Sequence, residues 1–292
     1  MRSLAAERAS CCGALISAQL RADLGRDPKR VYRECMRFRS VAAATFLTFS
    51  FVGASAQEAL PRAAQVRVLC SNGVKAVIEQ LRADLEQTLG YPLAIEFSTA
   101  VALKSRIDRG EPFDVAILTP VLIDDLAKQG KLAASRTELA RSGVGVGFAV
   151  TASRPDVSTT AALRRTLLAA KSVVFTADGQ SRTVIDTAFA KLGITEQMRA
   201  KTLLTGPGEA PLRVAAGEVE LVLTLISEIV PVPGLQLAGP LPPELQGYVA
   251  FAAGVSSDAR ARDAALELVQ LLARPSAATV FEAHGMEPIR SP

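Results

Sequence analysis

Histidine occurs once in the 292 residues, at His284 near the C-terminus, and tryptophan is absent. A lone histidine cannot supply the paired imidazoles of an H-E-x-x-H zinc site. It also makes any Ser-His-acid triad depend on one residue. The nearest thing to a nucleophile elbow, Gly179-Gln180-Ser181-Arg182-Thr183, is one glycine short, so a secreted hydrolase would rest wholly on His284. Cysteine is scarce as well: Cys11, Cys12 and Cys35 stand before residue 36, and Cys70 is alone after it. Without the first segment, the chain can form neither an intramolecular disulfide nor an all-cysteine metal site. Cys70, inside the apolar run Val66–Cys70, reads as a small buried strand residue. No metal and no cofactor is expected.

An excess of one charge sign is also missing where it would matter. The chain is +4 overall, but residues 1–56 hold nine Lys/Arg against four acids, leaving 24 basic and 25 acidic residues in the remainder, a net charge of −1. No electrostatic footprint for nucleic acid follows. No long apolar run is present either. Val41–Val52 is uncharged but shorter than the roughly 20 residues of a membrane span. It sits between the basic Met36-Arg37-Phe38-Arg39 and the small residues Ala54-Ser55-Ala56, the order of a secretory signal. We expect translation to start at Met36, cleavage after Ala56 and a periplasmic mature chain. Cys11 and Cys12 have no apolar segment before them and do not read as a lipoprotein site. A transcription-regulator module would need a helix-turn-helix and a cytoplasmic address, and residues 1–56 offer an export signal instead.

What the mature chain does have is alternation of short apolar runs with helical patterns, the signature of βαβ units. Strands are expected at Val66–Cys70, Leu93–Phe97 and Phe113–Leu118. Val74, Val77, Ile78, Leu81 and Leu85 share a helical face, and Leu103 and Ile107 mark the next helix. Asp124-Asp125 reads as a solvated helix start. The glycine-punctuated stretch Ser142–Val150 reads as a strand long enough to pass from one lobe to another. Its Gly143-Val144-Gly145-Val146-Gly147 lacks the spacing of a dinucleotide loop and leads into a strand rather than a helix. A helix is expected near Thr160–Ala170, a strand at Ser172–Thr176, a helix carrying Val184, Ile185, Ala188, Phe189 and Leu192, and a strand at Val219–Ile226. The prolines at 231, 233, 240, 242 and 243 mark an irregular connection, Gly247–Val255 a return crossing, and Asp258–Leu272 a final helix.

Hydroxyl and amide residues gather where these strands end: Ser71 and Asn72, Ser98 and Thr99, Thr119, and then Gln180, Ser181 and Arg182 after the strand ending at Thr176. In open α/β sheets, ligands sit beyond the carboxyl ends of strands, against helix N-termini whose free N–H groups favour anions. Arg182 could clamp a carboxylate or phosphate bidentately, or be an exposed helix-start residue. Lys75 could face the cleft or lie on the solvated side of its helix.

The stretches LKSRIDRGEPFDVAIL (103–118), VAAGEVELVLTLISEI (214–229), Pro231-Val232-Pro233-Gly234, AGPLPPEL (238–245) and Gly285-Met286-Glu287-Pro288 carry a resemblance to a known family. From about Val66 to Arg290, the chain resembles the molybdate-binding ModA-like family of periplasmic solute-binding proteins, of the type 2 class. That resemblance implies an α/β, two-lobed type 2 periplasmic binding protein fold, each lobe a mixed sheet flanked by helices, joined by two crossover segments. The implied division is 57–143 plus 251–292 for one lobe and 144–250 for the other. It implies a tetrahedral oxyanion such as molybdate or tungstate held by hydroxyls and backbone N–H groups, in a monomer that delivers its ligand to a membrane ABC transporter permease. It further implies no catalysis. Ser71 would be the first hydroxyl ligand, with Ser98 and Thr99 supplying the second. The family's usual second serine corresponds to Ala100 here, and its tyrosine donor falls at Leu223-Thr224-Leu225, where Thr224 could stand in. A different small anion, a carboxylate or a phosphate, remains the alternative.

N-terminal sequencing of the protein isolated from its own cells should begin at Gln57. Recovery of peptides from residues 1–35 would overturn the assigned start.

Overall fold

The computed structural model describes residues 65–133 and 136–289; the leader and its signal lie outside the described residues. The fold is mixed α/β. Ten strands follow the order β2-β1-β3-β9-β4-β7-β5-β6, with β8 and β10 also pairing to β4. In the first strand group, β1 (Val66–Ser71), β2 (Leu93–Ser98) and β3 (Val115–Leu118) are parallel, with Val66 opposite Leu93 and Val68 opposite Val115. In the second, β5 (Val173–Thr176), β6 (Thr202–Thr205) and β7 (Leu221–Leu225) are parallel. Between them run β4 (Thr137–Ala149) and β9 (Tyr248–Val255), each antiparallel to its neighbours.

The helices form where the apolar spacing requires. Helix α1 (Lys75–Leu89) buries Val77, Ile78, Leu85 and Leu89 along one face. Helix α2 (Ala100–Asp108) buries Ala100, Leu103 and Ile107, and the Thr99 hydroxyl accepts from the Ala102 N–H at 3.2 Å as its N-cap. Helix α3 (Pro120–Lys128) starts at Pro120, so Asp124 and Asp125 lie inside it rather than at its start. Proline at the first helical position fixes that start. Asp125 pairs with Lys104 at 2.5 Å and Asp124 with Arg136. Helix α4 (Thr160–Ala169), α5 (Arg182–Lys191), α6 (Thr195–Arg199), α7 (Ala210–Ala215) and α8 (Ile226–Ile229) serve the second group. Helices α9 (Arg262–Leu272) and α10 (Pro275–Ala283) follow β9, and β10 is Glu287–Pro288. The proline-rich connection is more regular than its composition suggests. It contains β8 (Leu235–Pro240), antiparallel to β4, with Pro240 at its end, where a missing N–H costs no ladder bond.

Strand β4 changes partners along its length. Thr137–Gly143 pair with β9, and from Val144 onward the strand pairs with β7 and, from Gly145, with β8. At the changeover, the Gln246 side chain adds to the backbone bonds that Val144 makes with the Gly247 carbonyl at 3.3 Å and the Leu241 N–H at 3.0 Å. Its Oε1 accepts from the Val144 N–H at 3.0 Å, its Nε2 donates to the Val144 carbonyl at 3.0 Å, and the Gly247 N–H donates to the same Oε1 at 2.9 Å. The glycines of this strand have a steric purpose. A Cβ on Gly145 would come within 2.8 Å of Leu237 and 3.0 Å of Ile226, and one on Gly147 within 2.7 Å of Val222 and 3.1 Å of Ile229. Their bareness lets α8 lie directly on the strand, while Val144, Val146 and Phe148 are buried in the core.

The buried Asp114 ties β3 to the chain around it. Its Oδ2 accepts from the Arg67 N–H at 2.7 Å, and its Oδ1 from the N–H groups of Arg260 at 2.6 Å and Ala261 at 3.3 Å. Asp114→Ala strips three N–H donors in part-buried hydrogen bonds of their partner. It should lower unfolding stability by about 3 kcal/mol, at the lower end of roughly 1–3 kcal/mol per group left unsatisfied because water reaches these donors in part, measured by urea unfolding.

Candidate functional site

Parallel pairing puts the carboxyl ends of β1 and β2 on one side, and those of β5 and β7 close a cavity with them. Ser71 ends β1 and Asn72 and Gly73 follow it; Thr99 and Ala100 open α2; Thr176 ends β5; Gly179, Gln180 and Ser181 lead into α5. Gly208, Leu225, Glu228 and Phe251 complete the lining. The cavity is about 20 Å³, room for little more than one water-sized body. Grooves of about 500 Å³, beside Arg154–Ser158 and the end of β8, and 610 Å³, beside α10, are larger but share no residue with the carboxyl ends of β1, β2, β5 and β7.

Contacts across the cavity join the two strand groups. Thr99 Oγ1 donates to Asp178 Oδ2 at 3.0 Å. Ser227 Oγ donates to the Gly73 carbonyl at 2.7 Å, and the Ser227 N–H donates to Ser142 Oγ at 3.2 Å. Gly73 must be bare for this closure, because a Cβ there would stand 2.2 Å from Phe251 and 2.9 Å from Leu225.

Of the residues expected from sequence, the cavity brings together Ser71, Asn72, Thr99, Gln180 and Ser181. The others lie elsewhere. Ser98 pairs with Ser71 at the strand ends without lining the cavity, and Thr119 is buried at the start of α3. Thr224 is buried one layer back, its hydroxyl donating to Glu228 Oε2. Arg182 turns away. Its guanidinium meets Asp186 at 2.7 Å, donates to the Ala177 carbonyl at 3.3 Å and stacks 5.1 Å from the Phe175 ring. An (i, i+4) acid and an aromatic face occupy it more cheaply than a ligand would. Lys75 is exposed and pairs with Glu79 at 3.7 Å.

Sequence reasoning missed Thr176, Gly208 and above all Glu228. Among the lining side chains, Glu228 is the one that ionises, and no lysine or arginine stands with it. Enclosure pushes its carboxyl above the usual carboxylate range, against the opposite pull of hydrogen bonds from Thr224 and the Leu225 backbone. The donor set is therefore hydroxyls, amides and backbone N–H groups, with one acid that can carry a proton. Burial likewise pushes the Cys70 thiol up, away from thiolate chemistry. Among the described residues, no group of His, Cys, Asp and Glu is arranged to hold a metal, and no helix is long and apolar enough to cross a membrane.

Residues 66–287 match the model of a family described as bacterial extracellular solute-binding protein. An aconitate isomerase from a Pseudomonas species is 28% identical over 228 residues, covering 76% of this chain and 87% of that protein. The periplasmic molybdate-binding protein of Azotobacter vinelandii superposes with a TM-score of 0.65 at 16% identity, over 78% of this chain and 100% of that one. The sulfate-binding protein of Mycobacterium tuberculosis gives 0.59 at 16% identity, over 77% and 87%. These two structural likenesses establish the fold.

Raising the pKa of Glu228 in the folded state makes the native protein hold its proton more tightly than the unfolded chain does. Stability contributed by this group is then full below the ordinary carboxylate range and falls as pH rises toward the folded pKa. Glu228→Gln, which keeps an acceptor for Thr224, should raise the melting temperature at pH 8 and leave it unchanged at a pH where both states are protonated. Equal shifts at both would show that Glu228 is not strained by ionisation.

Proposed function

The chain belongs to the bacterial extracellular solute-binding protein family, and from that membership we propose that it captures a small oxyanion at the strand-end cavity, outside the cytoplasm, for uptake. The observation that carries this reading is the lining itself: Ser71, Thr99, Thr176 and Ser181 hydroxyls with the Asn72 and Gln180 amides, at the starts of α2 and α5, and no cation. Neutral donors fixed by strand ends and helix starts are suited to anions, with Thr99 exchanging its bond to Asp178 for one to the anion. Molybdate or tungstate is the candidate ligand, in keeping with the structural likeness to a molybdate-binding protein.

In this reading the two strand groups are lobes, 57–143 with 251–292 and 144–250. The pairing of Tyr248–Ala250 with Arg141–Gly143 draws the second crossing back to Gln246-Gly247. A cavity of about 20 Å³ requires the lobes to part before an anion enters, and hinge motion at Val144 and Gln246 provides for that. The protein acts as a monomer, and the closed form is what a membrane ABC transporter permease receives. The leader, cleaved after Ala56, gives a periplasmic address.

A second reading comes from Glu228 together with the Pseudomonas relative. Aconitate interconversion by proton shift needs a group that removes a proton from one carbon and returns one to another as the double-bond electrons move, with no net change of atoms. Glu228 is the lining side chain able to act as that base and acid, and the chain would then be an isomerase on a small polycarboxylate.

Thermal unfolding of the purified protein with molybdate, tungstate, sulfate, phosphate and aconitate separates these readings. A ligand at 100 times its Kd adds about 2.7 kcal/mol, or about 5–10 °C for a chain of this size. A shift with molybdate and tungstate alone supports oxyanion capture. A shift with aconitate, joined to a change in its ultraviolet absorbance that Glu228→Gln abolishes, supports the isomerase. No shift with any anion overturns both.

A further inference from the structure

An anion entering this cavity meets a carboxylate with no cation between them. The lining contains one ionisable side chain, Glu228, among hydroxyls, amides and apolar groups. The elements packed on α8 do not neutralise it. The Asn72–Val74 turn, β7, β8 and the Val144–Ala149 half of β4 carry no ionisable residue, and α1 offers Lys75, which is exposed and paired with Glu79. Across the cavity, Asp178 is exposed and accepts from Thr99, adding another negative group rather than a positive one, and Arg182 is taken by Asp186. Two like charges at contact distance in an enclosed site repel strongly. An ionised Glu228 is also an acceptor only, and so is a fully deprotonated oxyanion, so the two can share no hydrogen bond.

We propose that Glu228 couples anion capture to a proton: as a fully deprotonated anion enters, the Glu228 carboxylate takes one proton from solvent, and its new O–H donates to an anion oxygen. Dissociation returns the proton to solvent, so nothing else is consumed. The inference rests on the small-anion reading and adds to it the ligand's required state: an anion stripped of its own acidic protons, bound together with one from water. Thr224 fixes the carboxyl from behind, its hydroxyl donating to Oε2. Enclosure already holds the carboxyl above the ordinary carboxylate range before any anion arrives, which lowers the cost of protonation near neutral pH.

The test is calorimetric titration of the purified protein with molybdate, sulfate and trans-aconitate, in two buffers of different ionisation enthalpy, at pH values from about 7 to about 9, where these anions carry no acidic proton of their own. The expected result is uptake of close to one proton per anion bound, with affinity falling toward tenfold per pH unit as the free protein loses the Glu228 proton. Glu228→Gln keeps a donor for the anion and removes the titration, so its affinity should be flat across the same range. Binding without proton uptake in the unaltered protein overturns the coupling and leaves anion capture standing, and no variant is needed to see it. An unchanged pH slope in Glu228→Gln overturns the assignment to this residue. Failure of all three anions to bind at any pH overturns the small-anion reading and the coupling with it.

Discussion

Two missing methyl-sized groups hold this architecture together. Because positions 145 and 147 are glycine, helix α8 lies directly on β4, with Ile226, Ile229, Val222 and Leu237 in the space that side chains would fill. That contact places Ser227 where its hydroxyl reaches the Gly73 carbonyl and its N–H reaches Ser142, and it carries Glu228 into the cavity. A larger residue at either glycine would lift the helix and overpack a core that tolerates little displacement. The site is therefore positioned from beneath, by backbone approach, rather than by reach of long side chains.

Recognition by neutral dipoles follows from the same geometry. Strand ends and helix starts converge, so their hydroxyls and N–H groups are fixed before a ligand arrives, and preorganised donors lose little entropy on binding. An arginine would add attraction and a large desolvation cost in so small a space. The chain keeps its nearest guanidinium, that of Arg182, outside the cavity against Phe175 and Asp186. The one charge it admits is Glu228, whose sign is wrong for an anion unless it is protonated.

Much of the fold was legible in the residues. Apolar runs bounded by turn residues placed β1, β5 and β7 within a few residues, because buried parallel strands read as near-continuous hydrophobic stretches, and the part-buried edge strand β2 was legible in its shorter apolar run. Strand β8 was hidden by its prolines, which an edge position accommodates, and α10 by the brevity of its apolar pattern, which buries Ala277 and Phe281. The hydroxyl side of the site, Ser71, Asn72, Thr99, Gln180 and Ser181, was legible because strand-to-helix turns announce themselves locally. Glu228 was not. An acid two residues into a short helix reads as solvated, and its enclosure depends, beside the adjoining β7, on β4 and the Asn72–Val74 turn, both distant in sequence. The orientation of Arg182 was equally out of reach, since the partner that holds it, one helical turn along at Asp186, is equally consistent with an open or an occupied guanidinium.

Gln246 gives the fold one more property. Where β4 exchanges β9 for β7 and β8, the polar groups of Val144 are shared between the Gln246 amide and two isolated backbone partners, the Gly247 carbonyl at 3.3 Å and the Leu241 N–H at 3.0 Å. A ladder resists bending in proportion to the bonds that must break together, whereas at this joint half of the bonds to Val144 come from one side chain and yield with a change in its rotamer. The stiffness of that joint is thus set in part by one residue outside the cavity lining, and evolution can retune how readily the molecule flexes there without touching a single ligand-facing atom.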